Sequence, residues 1–517
     1  MELDDSVFKQ AVSRRSVLKV GAAGLLASQM ALLEKLAWMP DRLALAAPAL
    51  PDIQHDVGNF IAPAFSEDGV MVRFGPVFTA LVPAKLTRTP TQADQRHLAQ
   101  ALDTMEQVLG FSPAGVIPFI GYGLPYFARL PQPIVNAAIP RLAGFGHKFG
   151  SGSVLKEARP SVTDVSPHNP GIQKRTPDFN VPVRIESNDL LITLCSDSLQ
   201  NISEILAWLQ GSNQLGGRRV ASPRVANLIV LQETRLIFQQ LGLVRKVAEA
   251  VGFEFARRIN RKTPMWMGFG DQQVNASGPA AITTFVGNRT AKLSNAKRGD
   301  YFDNGSIQHL SHVLLDLVAW YQTPQQDPAG KGEPLTERIQ YMFRSNQRGT
   351  QDGMLSLGNA DQFANGGVNQ TFFENTFQGF DDELGNVNAA GKTFDPKTGV
   401  GTFNGEHRIG HTAGLHRFGR APDGTPLHIR HDGAGLSALD VPSGHVVPTL
   451  EFMAFLPAAD QFALMRDGAA SLDLSPLNGP LVAEEDRGLE RFITATRRQN
   501  FLSPPRRHRA FPLVEFT

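Results

Sequence analysis

The chain has 517 residues, a formal net charge of +1, 42% hydrophobic and 19% charged residues, and a single cysteine, Cys195. That balance excludes wholesale disorder and gives no global signal for nucleic acid or an anionic membrane. One cysteine excludes an internal disulfide, so stability must come from a core, alone or with a bound cofactor, and the length is enough for two core-forming units.

In chain order, the first signal is Ser13-Arg14-Arg15-Ser16-Val17-Leu18-Lys19, followed by a mildly apolar run from Val20 to Leu33. Paired arginines ahead of a short, small-residue-rich apolar stretch read as a twin-arginine signal peptide over residues 1–46, with an A-x-A cleavage site at Ala44-Leu45-Ala46. The run is too short and interrupted for a stable membrane span. The expectation is a partner translocase during export and a periplasmic or extracellular location.

Val70 to Leu81 reads as one or two strands bent at Gly75-Pro76. Thr91 and Asp94 can cap a helix that continues to Leu109, with Leu98, Leu102 and Met105 on one face. Val116 to Phe127 is a strand entering a glycine-rich turn, Leu142 to Pro182 a long loop, and Asp189 to Cys195 a buried strand. A second amphipathic helix spans Asp197 to Gln210. The second half restarts the pattern, with strand-like Ala226 to Leu231 and Ala281 to Val286, and with Ile307 to Trp320 turning from strand to helix. Residues from about 344 to 400, rich in Gly, Asn and Gln and holding Phe372, Phe373, Phe377 and Phe380, read as an inserted loop region of the size often used as a lid. Leu450 to Leu456 is a last buried strand, and a helix follows from Asp460. Strands with helices on one face make an α+β layer.

Five segments in this order resemble the dye-decolourising peroxidase superfamily. They are Val116 to Phe127, Asp189-Leu190-Leu191 through Asp197, Met267-Gly268-Phe269-Gly270-Asp271, Pro426-Leu427-His428-Ile429-Arg430, and Leu489 to Ile493 with Phe501 to Pro505. The resemblance implies an α+β fold of two ferredoxin-like halves with facing antiparallel sheets, residues 50–215 and 220–517, in a dimeric α+β barrel-like arrangement. It places haem b in the second half, with His428 as the ligand to the haem iron, Asp271 as the acid that moves a proton between the peroxide oxygens, and Gly268, Phe269 and Arg430 beside the cofactor. The implied reaction is oxidation of a small organic substrate by hydrogen peroxide. A homo-oligomer is compatible with it.

Two departures bear on function. Gln272 stands where the family's distal motif ends in glycine, and Ser437 to Gly444 lacks the arginine the family carries there. Losing such a cation costs roughly 2.7–4 kcal/mol of transition-state stabilisation by analogy with a lost oxyanion donor. The alternative is therefore a non-catalytic pseudo-peroxidase of the same fold that binds a small molecule or a protein partner. A third reading uses His407, His411 and His416 to bind metal. His407 and His411 have the spacing of a zinc pair on a helix, although Gly410, Gly414 and Gly419 oppose a helix there. There is no P-loop, dinucleotide fingerprint or nucleophile elbow.

Overall fold

This computed structural model describes residues 22–38, 49–61, 65–67, 70–72, 75–143, 152–259, 261, 263–268, 280–287, 293–321, 401–403, 406–408, 411, 427–470, 472 and 487–517. The paired arginines, the Ala44–Ala46 site and the insertion at about 344–400 lie outside that set.

The first described element is helix α1 (Ala22–Leu36). Its Leu33 is 1% exposed, and Trp38 just beyond it exchanges two hydrogen bonds with the Gln240 amide, at 3.0 and 2.6 Å. Strand β1 (Phe78–Leu86) leads to helix α2 (Gln92–Leu109). The Thr91 hydroxyl accepts from the Asp94 amide while the Asp94 carboxylate accepts from the Thr91 amide, so a capping box starts this helix where the sequence places it. Strands β2 (Ile117–Gly123) and β3 (Leu190–Ser196) come next. Helix α3 (Leu199–Leu209), capped by Ser198, and strand β4 (Arg235–Phe238) complete a strand–helix–strand–strand–helix–strand unit. Its strands lie in the order β4-β1-β3-β2, all antiparallel.

Helix α4 (Leu243–Val251) follows and packs against α1. The pattern then repeats. Strand β5 (Ser306–Leu315) passes into a short helix at Leu317–Tyr321, as the sequence reading expects. Strands β6 (Gly433–Ser437) and β7 (Val447–Leu456), helix α5 (Ala459–Ala469) and strand β8 (Ile493–Ser503) follow. Their order, β8-β5-β7-β6, is that of the first unit.

The two units meet at two antiparallel seams. β8 pairs with β2, Phe501 opposite Gly123, and β4 pairs with β6, Phe238 opposite Ala434. The eight strands thus close into a ring of two facing four-stranded sheets, the expected α+β architecture. Close approach at the first seam needs glycine, because a Cβ on Gly121 would lie 2.9 Å from Phe501 Cβ. Side chains alternate across each strand. One set, including Leu81, Phe119, Ile237, Leu310, Met453, Phe455 and Phe501, fills the barrel interior, and the other packs outward beneath the helices. Gln54 plugs one end, bonding both the N–H and the carbonyl of Ile120 at 2.9 Å and the Pro504 carbonyl at 2.8 Å.

Ala281 to Val286 is not the strand its apolar pattern suggests. Ala280–Thr283 is a single 3₁₀ turn whose Thr283 and Thr284 hydroxyls bond back to the carbonyls of Ala280 and Ala281. No helix among the described residues is long and apolar enough to cross a membrane.

Phe455 is fully buried, stacks on His55 and meets Phe119 edge-on. Phe455→Ala is expected to cost about 3–5 kcal/mol, read as a lower urea midpoint with an unchanged slope.

Candidate functional site

His428 lies at the head of a two-residue strand, Ile429–Arg430, that pairs with β7 opposite Phe455 and Ala454. It is 1% exposed, and the preceding Leu427 packs with Leu142, Leu293 and Leu464. In residue type and burial His428 fits a haem donor, since a buried imidazole is a side chain that would hold haem iron. Arg430 is half-buried, with Nε 3.8 Å from an Asp432 carboxylate oxygen.

Gly268 lies in a loop ahead of β5. It has φ +91°, and a Cβ there would lie 3.0 Å from the Tyr321 hydroxyl, so glycine is required. Its loop is pinned at three points: the Trp266 indole donates to the Gly435 carbonyl (2.7 Å), Trp320 donates to the Met267 carbonyl (3.1 Å) and Tyr321 to the Trp266 carbonyl (2.8 Å). Gly435 pairs opposite Thr449, whereas Ile429 pairs opposite Phe455. Six residues of β7 separate those two levels, about 20 Å at the rise of a strand. Phe269 and Asp271 lie outside the described residues.

The outer face of β5 and β8 carries a second polar group. His309 donates from Nδ1 to Asn500 Oδ1 and accepts at Nε2 from the Ser311 hydroxyl, both at 2.7 Å, while Asn500 spends its amide on the Lys156 carbonyl. Phe462 of α5 stacks on the His309 ring, and the Arg498 guanidinium lies over Phe462. Burial pushes the His309 imidazole down to about 3, so it is neutral. Beside it Arg498 pairs with Asp164 at 2.6 Å, and Arg466 grips Glu490 with both terminal nitrogens. Burial disfavours charge on Glu490, but the Arg466 guanidinium outweighs it and holds the carboxyl below its ordinary value. Burial lowers Arg498 even so. A cavity of about 240 Å³ opens over this network, lined by Lys156, Arg159, Asp460, Arg466, Asp467 and Arg498 among others. Small-molecule pockets run to roughly 300–1,000 Å³, so this one falls short of a macrocycle.

The histidine constellation does not assemble. His407 lies in a strand, Glu406–Arg408, paired with Gly401–Phe403, so it cannot share a helix face with His411. His411 bonds the Ala469 carbonyl at 3.2 Å, His445 is exposed, and His416 lies outside the described residues. Among the described residues no three metal-ligating side chains converge.

Two histidines, His55 and His431, lie inside the barrel. His55 stacks on Phe455 at 3.9 Å and bonds Thr283 at 2.8 Å, and His431 meets Phe119 and Phe455 edge-on. Burial pushes His431 down to about 4. Burial, then the neighbouring His431, pushes His55 well below its ordinary value. The alternation of β5 could have exposed His312, which lies two residues beyond the inward Leu310.

No protein-family model and no curated protein matches the chain. Among solved structures it is similar to the encapsulated DyP-type peroxidase from Mycobacterium smegmatis, at 13% identity over 86% of this chain and 94% of that one, TM-score 0.41. It is also similar to a DyP-type peroxidase from Cellulomonas bogoriensis (14% identity, 85% and 92% covered, TM-score 0.44). A DypB variant from Rhodococcus jostii in complex with heme gives 12% identity, 84% and 95% covered, and a TM-score of 0.40. Likeness at that level leaves the site to be read from this chain's own residues.

In the unfolded chain His309 and His431 take up protons near pH 6.5, but in the folded protein they resist protonation down to about 3 and 4. The unfolded state binds more protons in that window, so stability is expected to fall as pH drops from 6.5 toward 4, by about 1.4 kcal/mol per pH unit for each histidine. Thermal melts across pH 7 to 5 check this, and His309→Gln should make the decline shallower.

Proposed function

We propose that the chain is an exported, haem-binding protein of the dye-decolourising peroxidase type, which oxidises a small organic substrate with hydrogen peroxide. The observation that carries this reading is His428, 1% exposed just before the short strand Ile429–Arg430 of the second half, in the segment whose sequence resembles the family's proximal motif. The order of the other four segments along the chain supports it. Haem b, when bound, supplies the redox-active iron.

The chain's own residues would divide the remaining work. His428 would hold the iron through one ring nitrogen, in a setting from which Leu427 and its neighbours exclude water. Asp271 would hold a proton on its carboxyl and move it from the near to the far peroxide oxygen. Gly268 and Phe269 would line the same side, and Arg430 would lie beside the cofactor. Export rests on the Arg14-Arg15 motif and the apolar run after it.

The test is the absorption spectrum of the full chain produced with a haem supply. A Soret band near one haem per chain that disappears in His428→Ala is expected. Asp271→Asn should keep that band and slow peroxide turnover by about 10²–10⁴-fold. A folded but colourless protein would overturn the peroxidase reading and leave the same fold carrying a binding function.

A further inference from the structure

The apolar run after the paired arginines enters α1, and the folded body holds that helix. One stripe of it is turned inward. Leu26, Gln29, Met30, Leu33, Leu36 and, just beyond the helix, Ala37 recur at helical spacing and are buried or half-buried. Ala27, Ala31, Glu34 and Lys35 are exposed. A helix of 15 residues is marginal alone in water, so packing has to keep it folded.

The body supplies three holds. α4 packs along the helix. The Ser203 hydroxyl of α3 donates to the Met30 sulfur at 3.6 Å. Gln240 closes the far end: its Oε1 accepts from the Trp38 N–H at 3.0 Å and its Nε2 donates to the Trp38 carbonyl at 2.6 Å. One side-chain amide thus answers both backbone groups of Trp38. Gln240 is 4% exposed and stands between β4 and α4, where its own carbonyl accepts from the Leu243 N–H at 3.1 Å. Its side-chain amide makes no other bond among the described residues. Ser203 and Gln240 lie 173 and 202 residues downstream of the groups they grip, so only a folded first half can supply these holds.

The buried stripe cannot face α4 and a translocase at once. A receptor that binds only the released form has its apparent affinity reduced by the released fraction. We infer that the folded body clasps its own export segment, so that the translocase takes the chain only after α1 has come off α3 and α4. This rests on the export reading of Arg14-Arg15 and the apolar run that follows.

The test pairs two readouts on the full chain. The first is hydrogen exchange of precursor purified from cells without the translocase. The Leu32, Leu33 and Leu36 amides should be protected in the parent and exchange about tenfold faster in Gln240→Ala, with the amides of β3 unchanged. The second is pulse-chase export in cells with the translocase. Export should quicken roughly threefold or more in Gln240→Ala and stop when Arg14→Lys and Arg15→Lys are combined. Unprotected α1 amides in the parent would overturn the clasp. Equal export of parent and Gln240→Ala, with exchange that differs, would overturn its effect on the translocase. Export that ignores the paired lysines would overturn the export reading, and this inference with it, whatever the exchange shows. Should Gln240→Ala fail to fold, Ser203→Asp, at an exposed position of α3 against Met30, takes its place with the same expected outcomes.

Discussion

Closing two four-stranded sheets on each other is the constraint from which the other features follow. It leaves no free edge in the ring, and it makes an interior that water reaches only at the ends. An inward side chain is then favoured when it is apolar or finds a hydrogen-bond partner. Most are apolar. Several of the exceptions bond to one another or to backbone, such as Gln308 to Thr193 at 3.0 Å and Gln499 to both the Asn188 amide and its carbonyl. Gln54 shows the same rule at the plugged end, where one side-chain amide accepts from a strand's N–H and donates to the carbonyls of Ile120 and Pro504.

The outer face of the second half obeys a different balance. Arg466, Arg498, Asp164 and Glu490 are almost completely buried, and removing any one would strand the charge of another. The stacked rings of His309 and Phe462 lie against that network. This face is tied together by charge, whereas the surroundings of Leu427 are aliphatic and reach α5 through Leu464. One helix thus meets two kinds of chemistry.

Much of the frame is legible in the sequence because local signals and burial agree. The Thr91–Asp94 box, the inward stripe of α3 and the apolar runs of β3 and β7 each point to the element that forms. β8 defeats such reading. Thr494, Thr496, Arg497, Arg498, Gln499 and Asn500 look like a loop, yet all are buried, because each finds a partner that lies far away in the chain. β4 is missed because four residues carry no periodicity. For the site, the sequence marks His428 through its resemblance, but His312 meets the Glu451 carboxylate, 139 residues distant, only through the pairing of β5 with β7.

β8 also fixes the order of events in making the protein. It lies between β5 and β2, and its Gln499 meets a residue 311 positions earlier. Until that strand has left the ribosome, β5 and β2 both present open edges and the interior stays wet. The first half can pair within itself during synthesis, but the ring seals only once β8 has emerged. Any step that needs the closed form must wait for β8. Over that interval the exposed edges of β5 and β2 are where a chaperone would have to act.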